Sequence, residues 1–269
     1  MAHVNASFTG SIPEFYDSCL GPAYFEAFAA DLAQRLPAKP AGDVLEIACG
    51  TGIVTRRVRE RVDPAIRLVA TDLSAAMLDY ARAKLDDCRG IEWREADAVN
   101  LPFANAAYGA AICSFGVMFV PDKKAVFREA RRVLKQDGIL LFTVWDRIED
   151  NPHALTYTRV IESLFPGDAE MRFTIPFDMH DPALLRELLA EAGFGEVRIE
   201  TKRHQMESVS ARTLATGQIR GTPRSLQIER RGMTLEEVVE KETAALAQVG
   251  GADPCRVHAQ ALVVEARAI

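Results

Sequence analysis

The chain has 269 residues, 48% of them hydrophobic and 26% charged, and a formal net charge of −6. That length and apolar content suffice for a large α/β core, while no apolar run approaches the ~20 residues of a membrane span. The acidic balance argues against a nucleic-acid partner, whose binding rests on neutralising phosphates, and Arg56-Arg57, Arg131-Arg132 and Arg230-Arg231 read as solvated helix faces.

Met1 to Gly10 lacks the basic and apolar regions of a signal peptide. The five cysteines, at 19, 49, 88, 113 and 255, show no C-x-x-C spacing, so the expectation is a cytoplasmic chain with reduced thiols. Ile12 to Leu20 reads as a separate short element. Gly21-Pro22 then opens a helix carrying Phe25, Phe28, Leu32 and Leu36 at helical spacing, with proline suiting its first turn. Residues 1–42 are thus expected as a helical cap, and Pro37 to Gly42 as the linker into a core spanning 43–145. Val44–Ala48 is a buried strand candidate that breaks into the turn Gly50-Thr51-Gly52, and a helix from Ile53 is stopped near Pro64. Ile66–Ala70 is a second strand. Ser74 caps a helix with Met77, Leu78, Ala81 and Leu85 on one face. Ile91–Glu95 alternates like an edge strand, and Tyr108–Phe115 is an apolar run with β character. Asp122 caps a helix carrying Val126, Ala130, Val133 and Leu134, which Asp137-Gly138 closes, and Ile139–Trp145 is a fifth strand. Strands alternating with helices of this length imply an α/β parallel sheet covered on both faces.

After Trp145 the alternation lapses, and 146–181 reads as an insertion rich in Asp, Pro, Phe and Met. Residues 182–269 complete the core. They contribute a helix from Pro182 ended by Gly193, a strand over Glu196–Ser208, and a mostly helical stretch interrupted at Gly221-Thr222-Pro223. Ala259–Ala266 is a last strand. The insertion and 209–256 are expected to form a lid over the carboxyl end of the sheet. There Tyr157, Phe165, Met171, Phe173, Phe177 and Met179 line an apolar pocket or simply pack, and Arg220 and Arg224 are placed to meet an acidic group.

A glycine turn at the carboxyl end of the first strand lets a ligand lie against bare backbone and helix N–H groups. Glu46 sits near the end of that strand, Asp72 follows the second strand and Asp97 the third. A carboxylate at Asp72 is placed to accept ribose hydroxyls, and one at Asp97 to accept from an exocyclic adenine amine. Met77 and Leu73 are placed to pack on the adenine ring. The implied ligand is nucleotide-like. An NAD(P)-binding oxidoreductase is one reading, but the G-x-G-x-x-G frame from Gly50 puts Thr55 at the third glycine, and Glu46 within the strand is unusual for that class. A binding-only protein without turnover is another.

These motifs together resemble the class I S-adenosylmethionine-dependent methyltransferases. Glu46–Gly52 resembles their acidic, glycine-rich signature, with Ala48 where glycine is more common. Thr71-Asp72-Leu73-Ser74 with Met77, Ala96-Asp97-Ala98 with Leu101-Pro102-Phe103, Cys113-Ser114-Phe115, and Arg131 to Leu134 with Gly138 resemble the later motifs in order. Phe15-Tyr16-Asp17 resembles the small-molecule branch that includes quinone-ring and natural-product enzymes. The resemblance implies a doubly wound, Rossmann-like sheet of seven mostly parallel strands, with an antiparallel last strand and a helical lid. It implies S-adenosylmethionine as cofactor, with Gly50 and Gly52 at its methionine part, Asp72 on the ribose, and Asp97 and Ala98 at the adenine. Ser114 and Phe115 then lie near the sulfonium, and Tyr16 over the methionyl end. The expected reaction is in-line methyl transfer to an O, N or C nucleophile of a small molecule, where alignment matters more than a dedicated catalytic residue. His153 and His180 are candidate bases, with Asp17 and Glu14 behind them. No H-x-H or H-E-x-x-H spacing points to a metal. A monomer or homodimer is expected, with no membrane or nucleic-acid partner.

Overall fold

A computed structural model describes residues 8–172 and 174–269. The chain enters through α1 (Ile12–Phe15), a π-helical stretch (Tyr16–Phe25) and α2 (Glu26–Arg35), which run on without a break. The core follows as β1 (Asp43–Ile47), α3 (Ile53–Arg61), β2 (Leu68–Asp72), α4 (Ala75–Lys84), β3 (Ile91–Glu95), β4 (Tyr108–Ser114), α5 (Lys123–Val133) and β5 (Leu134–Trp145). Beyond it lie α6 (Pro152–Leu164), α7 (Pro182–Ala192), β6 (Phe194–Ser208), α8 (Ala211–Arg220), α9 (Arg224–Arg230), α10 (Leu235–Gly250) and β7 (Cys255–Ala268).

The strands form one seven-stranded sheet in the order β3-β2-β1-β4-β5-β7-β6. Pairings among β1 to β5 are parallel, and β7 runs antiparallel to both β5 and β6. The expected α/β sheet with an antiparallel last strand is therefore present, although β7 lies one place in from the edge. Alternate residues of the central strands feed two faces. Val44, Ala110 and Leu141 pack with Leu32, Val54 and Val58 from α2 and α3. Their neighbours Leu45, Ala111 and Phe142 pack with Val126, Phe127 and Val133 from α5. Burial on both faces accounts for the continuous apolar runs of β1 and β4. Chain order reverses between β1 and β4, which puts the topological switch point at the glycine turn.

Two boundaries differ from expectation. Pro22 does not open a helix; it lies inside the π-helical stretch, where Glu26 N–H reaches back to Gly21 C=O. A proline ring clashes with the carbonyl four residues earlier in an α-helix, and the wider i→i+5 turn moves that carbonyl away. Ile12–Leu20 is consequently continuous with α2. Asp137-Gly138 does not close a helix either. α5 ends at Val133, because Leu134 already pairs with Tyr108 across a bulge, and Asp137 takes a left-handed φ of 62° within the start of β5. The 146–181 segment is less irregular than its composition suggests, since α6 alone spans 13 residues. No helix among the described residues is long and apolar enough to cross a membrane.

Candidate active site

The turn after β1 holds Ala48 at φ 56°, Gly50 at φ 55° and Gly52 at φ 80°, all left-handed. Asp72, at the end of β2, fixes this turn. Its Oδ2 accepts from Gly50 N–H at 2.9 Å and its Oδ1 from Ser74 N–H at 2.8 Å. Burial pushes its carboxyl above the ordinary range, and the backbone donors oppose that shift. Each carboxylate oxygen retains lone pairs beyond these bonds. Ser74 caps α4 by accepting from Met77 N–H at 3.3 Å, and its hydroxyl donates to the Phe8 carbonyl at 3.2 Å. Phe8 is thus tied beside the switch point.

A cavity of about 370 Å³ opens there. Its floor is Ala48 and Gly50 from the turn, with Asp72, Leu73 and Met77 from β2 and α4. Asp97 and Ala98, after β3, form one end, while Ser114 and Phe115 after β4 and Tyr16 from the π-helical stretch form the other. Ten of the twelve residues singled out in the sequence therefore converge on one cavity. A Cβ on Gly50 would meet nothing within 4 Å, so that backbone faces open space, and Leu73 is a large apolar side chain left 43% exposed beside it. Bare backbone, a carboxylate with lone pairs to spare and an uncovered apolar surface suit a nucleoside-bearing ligand. Asp97 Oδ1 also accepts from Val99 N–H at 3.1 Å, which orients its carboxyl on the loop.

The other two residues lie elsewhere. Glu46 is 1% exposed, and desolvation pushes its carboxyl up to about 8, so it is protonated at neutral pH and does not line the cavity. Gly52 begins α3 against α4; a Cβ there would sit 2.9 Å from Leu85 Cδ1 and 3.2 Å from Ala81 Cβ. Its role is close packing.

A second cavity of about 130 Å³ shares Phe8, Tyr16, Phe115 and Phe119 with the first. Phe115 stacks on Trp145 at 4.1 Å, and Tyr16 on Phe25 at 5.0 Å. Of the two candidate bases, His153 lines this chamber, 3% exposed, with its ring 4.3 Å from that of Tyr24 and neither nitrogen hydrogen-bonded among the described residues. Burial pushes its imidazole down to about 3, so it is neutral. His180 lines neither cavity; its Nδ1 pairs with the Phe177 carbonyl at 2.7 Å. Glu14 is exposed, and Asp17 is tied to Lys84 at 2.5 Å. Tyr157 and Phe177 line the chamber as expected, whereas Met171 and Met179 are buried in packing and Phe165 is only partly covered. Phe173 lies outside the described residues. Arg220 pairs with Glu236 at 3.5 Å and sits over the Phe15 ring, away from both cavities. Arg224 does line the chamber, but its guanidinium donates to the Glu170 and Arg172 carbonyls and to Gln227. Sequence spacing alone misses Tyr24, Phe25, Trp145 and Gln218 as site residues; they come from three separate elements and carry no shared motif.

A mostly parallel, doubly wound sheet with a cavity at its switch point defines an α/β fold of the Rossmann-like class. Residues 44–138 match the model of the methyltransferase domain family. The chain is 31% identical over 182 residues to a malonyl-[acyl-carrier protein] O-methyltransferase of Hahella chejuensis, covering 61% of this chain and 63% of that protein. It is 33% identical over 167 residues to a ubiquinone/menaquinone biosynthesis C-methyltransferase of Pseudomonas aeruginosa, covering 57% and 65%. It spans somewhat under two thirds of the length of these curated relatives. Among solved structures, phosphoethanolamine N-methyltransferase 2 of Haemonchus contortus, in complex with S-adenosyl-L-methionine, superposes with a TM-score of 0.62 at 14% identity, over 99% of this chain and 59% of that one. That likeness shows the fold.

Proposed function

We propose that this chain is a methyltransferase that uses S-adenosylmethionine and acts on a small-molecule acceptor. The observation that carries it is the convergence of Ala48, Gly50, Asp72, Leu73, Asp97 and Ser114 on one cavity at the switch point, within the residues that match the methyltransferase domain family. When bound, S-adenosylmethionine supplies a methyl group already activated on a sulfonium. In this reading the Asp72 carboxylate receives the ribose hydroxyls, Met77 and Leu73 pack against the base, and Asp97 with Ala98 closes the adenine end. Gly50 and Ala48 offer bare backbone to the methionine part. Phe115 and Tyr16, shared by both cavities, stand where cofactor and acceptor sites meet. The aromatic walls of the smaller chamber exclude water from the acceptor and fix its approach, which is most of what an in-line displacement asks of a protein. Neutral His153 is placed to accept a hydrogen bond from an acceptor hydroxyl and hold it in place. Residues 146–181 and 209–256 act as the lid, and 1–42 as the cap that brings Tyr16 over the site.

Calorimetric titration tests this reading. Micromolar binding of S-adenosylmethionine or S-adenosylhomocysteine, with no response to NAD, is expected; failure of both sulfur nucleosides to bind would sink it. Binding without methyl transfer across a broad acceptor screen would favour a non-catalytic role instead.

A further inference from the structure

The smaller chamber combines aromatic walls with buried polar atoms that have no hydrogen-bond partner among the described residues. Gln218 on α8 donates its Nε2 to the His153 carbonyl at 3.3 Å, which leaves Oε1 without a donor. His153 on α6 has neither ring nitrogen engaged, and as a neutral imidazole it carries one acceptor. The Tyr24 hydroxyl is also unpartnered, and behind the chamber Glu242 on α10 is 0% exposed with neither carboxyl oxygen bonded among the described residues. All four side chains are more than nine-tenths buried and come from separate helices. A buried polar group left without a partner costs about 1–3 kcal/mol, so a chamber that gathers several is built around a ligand that supplies the partners.

The size of the chamber narrows what that is. At about 130 Å³ it is comparable to the roughly 150 Å³ apolar cavity that holds one benzene ring. Charge narrows it further. Among the described residues no carboxylate lines the chamber, and the one lining cation, Arg224, spends guanidinium hydrogens on the Glu170 and Arg172 carbonyls and the Gln227 amide. A carboxylate placed inside would meet Gln218 Oε1 and would give up its water against aromatic walls, a desolvation cost that a neutral ring avoids. Resting on the methyltransferase reading, we propose that the chamber receives the uncharged, ring-sized head of the acceptor, that this head carries at least two hydrogen-bond donors read by Gln218 Oε1 and His153, and that carboxylate heads are excluded.

The full-length chain saturated with S-adenosylhomocysteine is titrated with catechol, 1,2-dimethoxybenzene and benzoate as matched single-ring probes. Catechol should bind at least tenfold more tightly than its dimethyl ether, and benzoate should not bind at ten times the catechol dissociation constant. Gln218→Leu and His153→Phe should each lower catechol affinity severalfold and leave dimethoxybenzene unchanged, with retained S-adenosylhomocysteine binding reporting that each variant is folded. Equal binding of catechol and dimethoxybenzene, tighter binding of benzoate, absence of binding by every probe, or indifference of catechol to both substitutions would overturn the proposal. Loss of S-adenosylhomocysteine binding in the unsubstituted chain would instead overturn the methyltransferase reading, so the two failures are distinguishable.

Discussion

At the scale of single residues, Asp72 has two jobs that one substitution removes together. It bonds the Gly50 and Ser74 amides, and in the proposed site it receives the ribose. Asp72→Ala removes charge-assisted hydrogen bonds worth about 1.5–3 kcal/mol, so S-adenosylhomocysteine should bind weaker by that amount in calorimetry. Unchanged affinity would take Asp72 off the ribose. Gly116 is a second pressure point, because a Cβ there would sit 2.6 Å from Ala48 Cβ and 2.8 Å from Cys113 Sγ. Gly116→Ala should destabilise the fold by about 1–3 kcal/mol, the usual range for overpacking. Ala48→Gly in the same chain should recover part of that loss, and strictly additive urea-unfolding energies for the two changes would refute the contact. The sequence signature marks Glu46 and Gly52 as readily as Asp72, yet neither lines the larger cavity. A motif records position along the chain, and burial, which removes Glu46 from the cavity, is set by strands and helices far from it in sequence. Nor does spacing reveal that Ala48 adopts a left-handed conformation; the family's usual glycine at that place is the only hint.

Among the elements, β1 to β5 and the helices between them were legible because each carries its own periodicity and its own stop signal. Ser74 and Asp122 cap α4 and α5 as their positions predict, and Gly193 ends α7 in a left-handed conformation. Misread boundaries arose where a distant partner overrides a local signal. Pro22 looks like a helix start until Leu20 and Tyr24 are seen buried in the core, which keeps the stretch helical around the proline. Leu134 looks helical until it pairs with Tyr108. Ser74 shows how one cap can couple two elements, since it holds both the first turn of α4 and the Phe8 carbonyl of the entering chain. Ser74→Ala should cost about 1 kcal/mol of stability for the cap alone, measured by urea unfolding. It should also weaken S-adenosylhomocysteine binding, because Phe8 lines both cavities. A purely local cap would change stability and leave ligand affinity alone.

Across the whole molecule, the segments beyond β5 were the least legible part, since the smaller chamber takes residues from the π-helical stretch, β5, α6 and α8 that only the assembled fold brings together. Burial there and beneath the glycine turn leaves a signature in the stability of the entire chain. Glu46 and Glu242 are both desolvated, and each carboxyl rises from its ordinary 4.5 to about 8. In the folded chain they keep protons that the unfolded chain releases near pH 4.5, so their contribution is full below that pH and is lost as pH rises toward 8. Each group contributes a slope of up to about 1.4 kcal/mol per pH unit. His153 acts oppositely: with its imidazole pushed down to about 3 from 6.5, its contribution is present above pH 6.5 and is lost as pH falls. Between 4.5 and 6.5 the two effects partly cancel, whereas from 6.5 to 8 only the carboxyls titrate. Unfolding free energy should therefore fall most steeply from pH 6.5 to 8. Glu46→Gln and Glu242→Gln should each remove about half of that slope, and the double variant should be nearly flat. The two sites sit under different cavities, so their effects should add, as expected of groups that share no partner. A wild-type chain equally stable at pH 6.5 and 8 would show that both carboxyls find partners or water that the fold does not reveal.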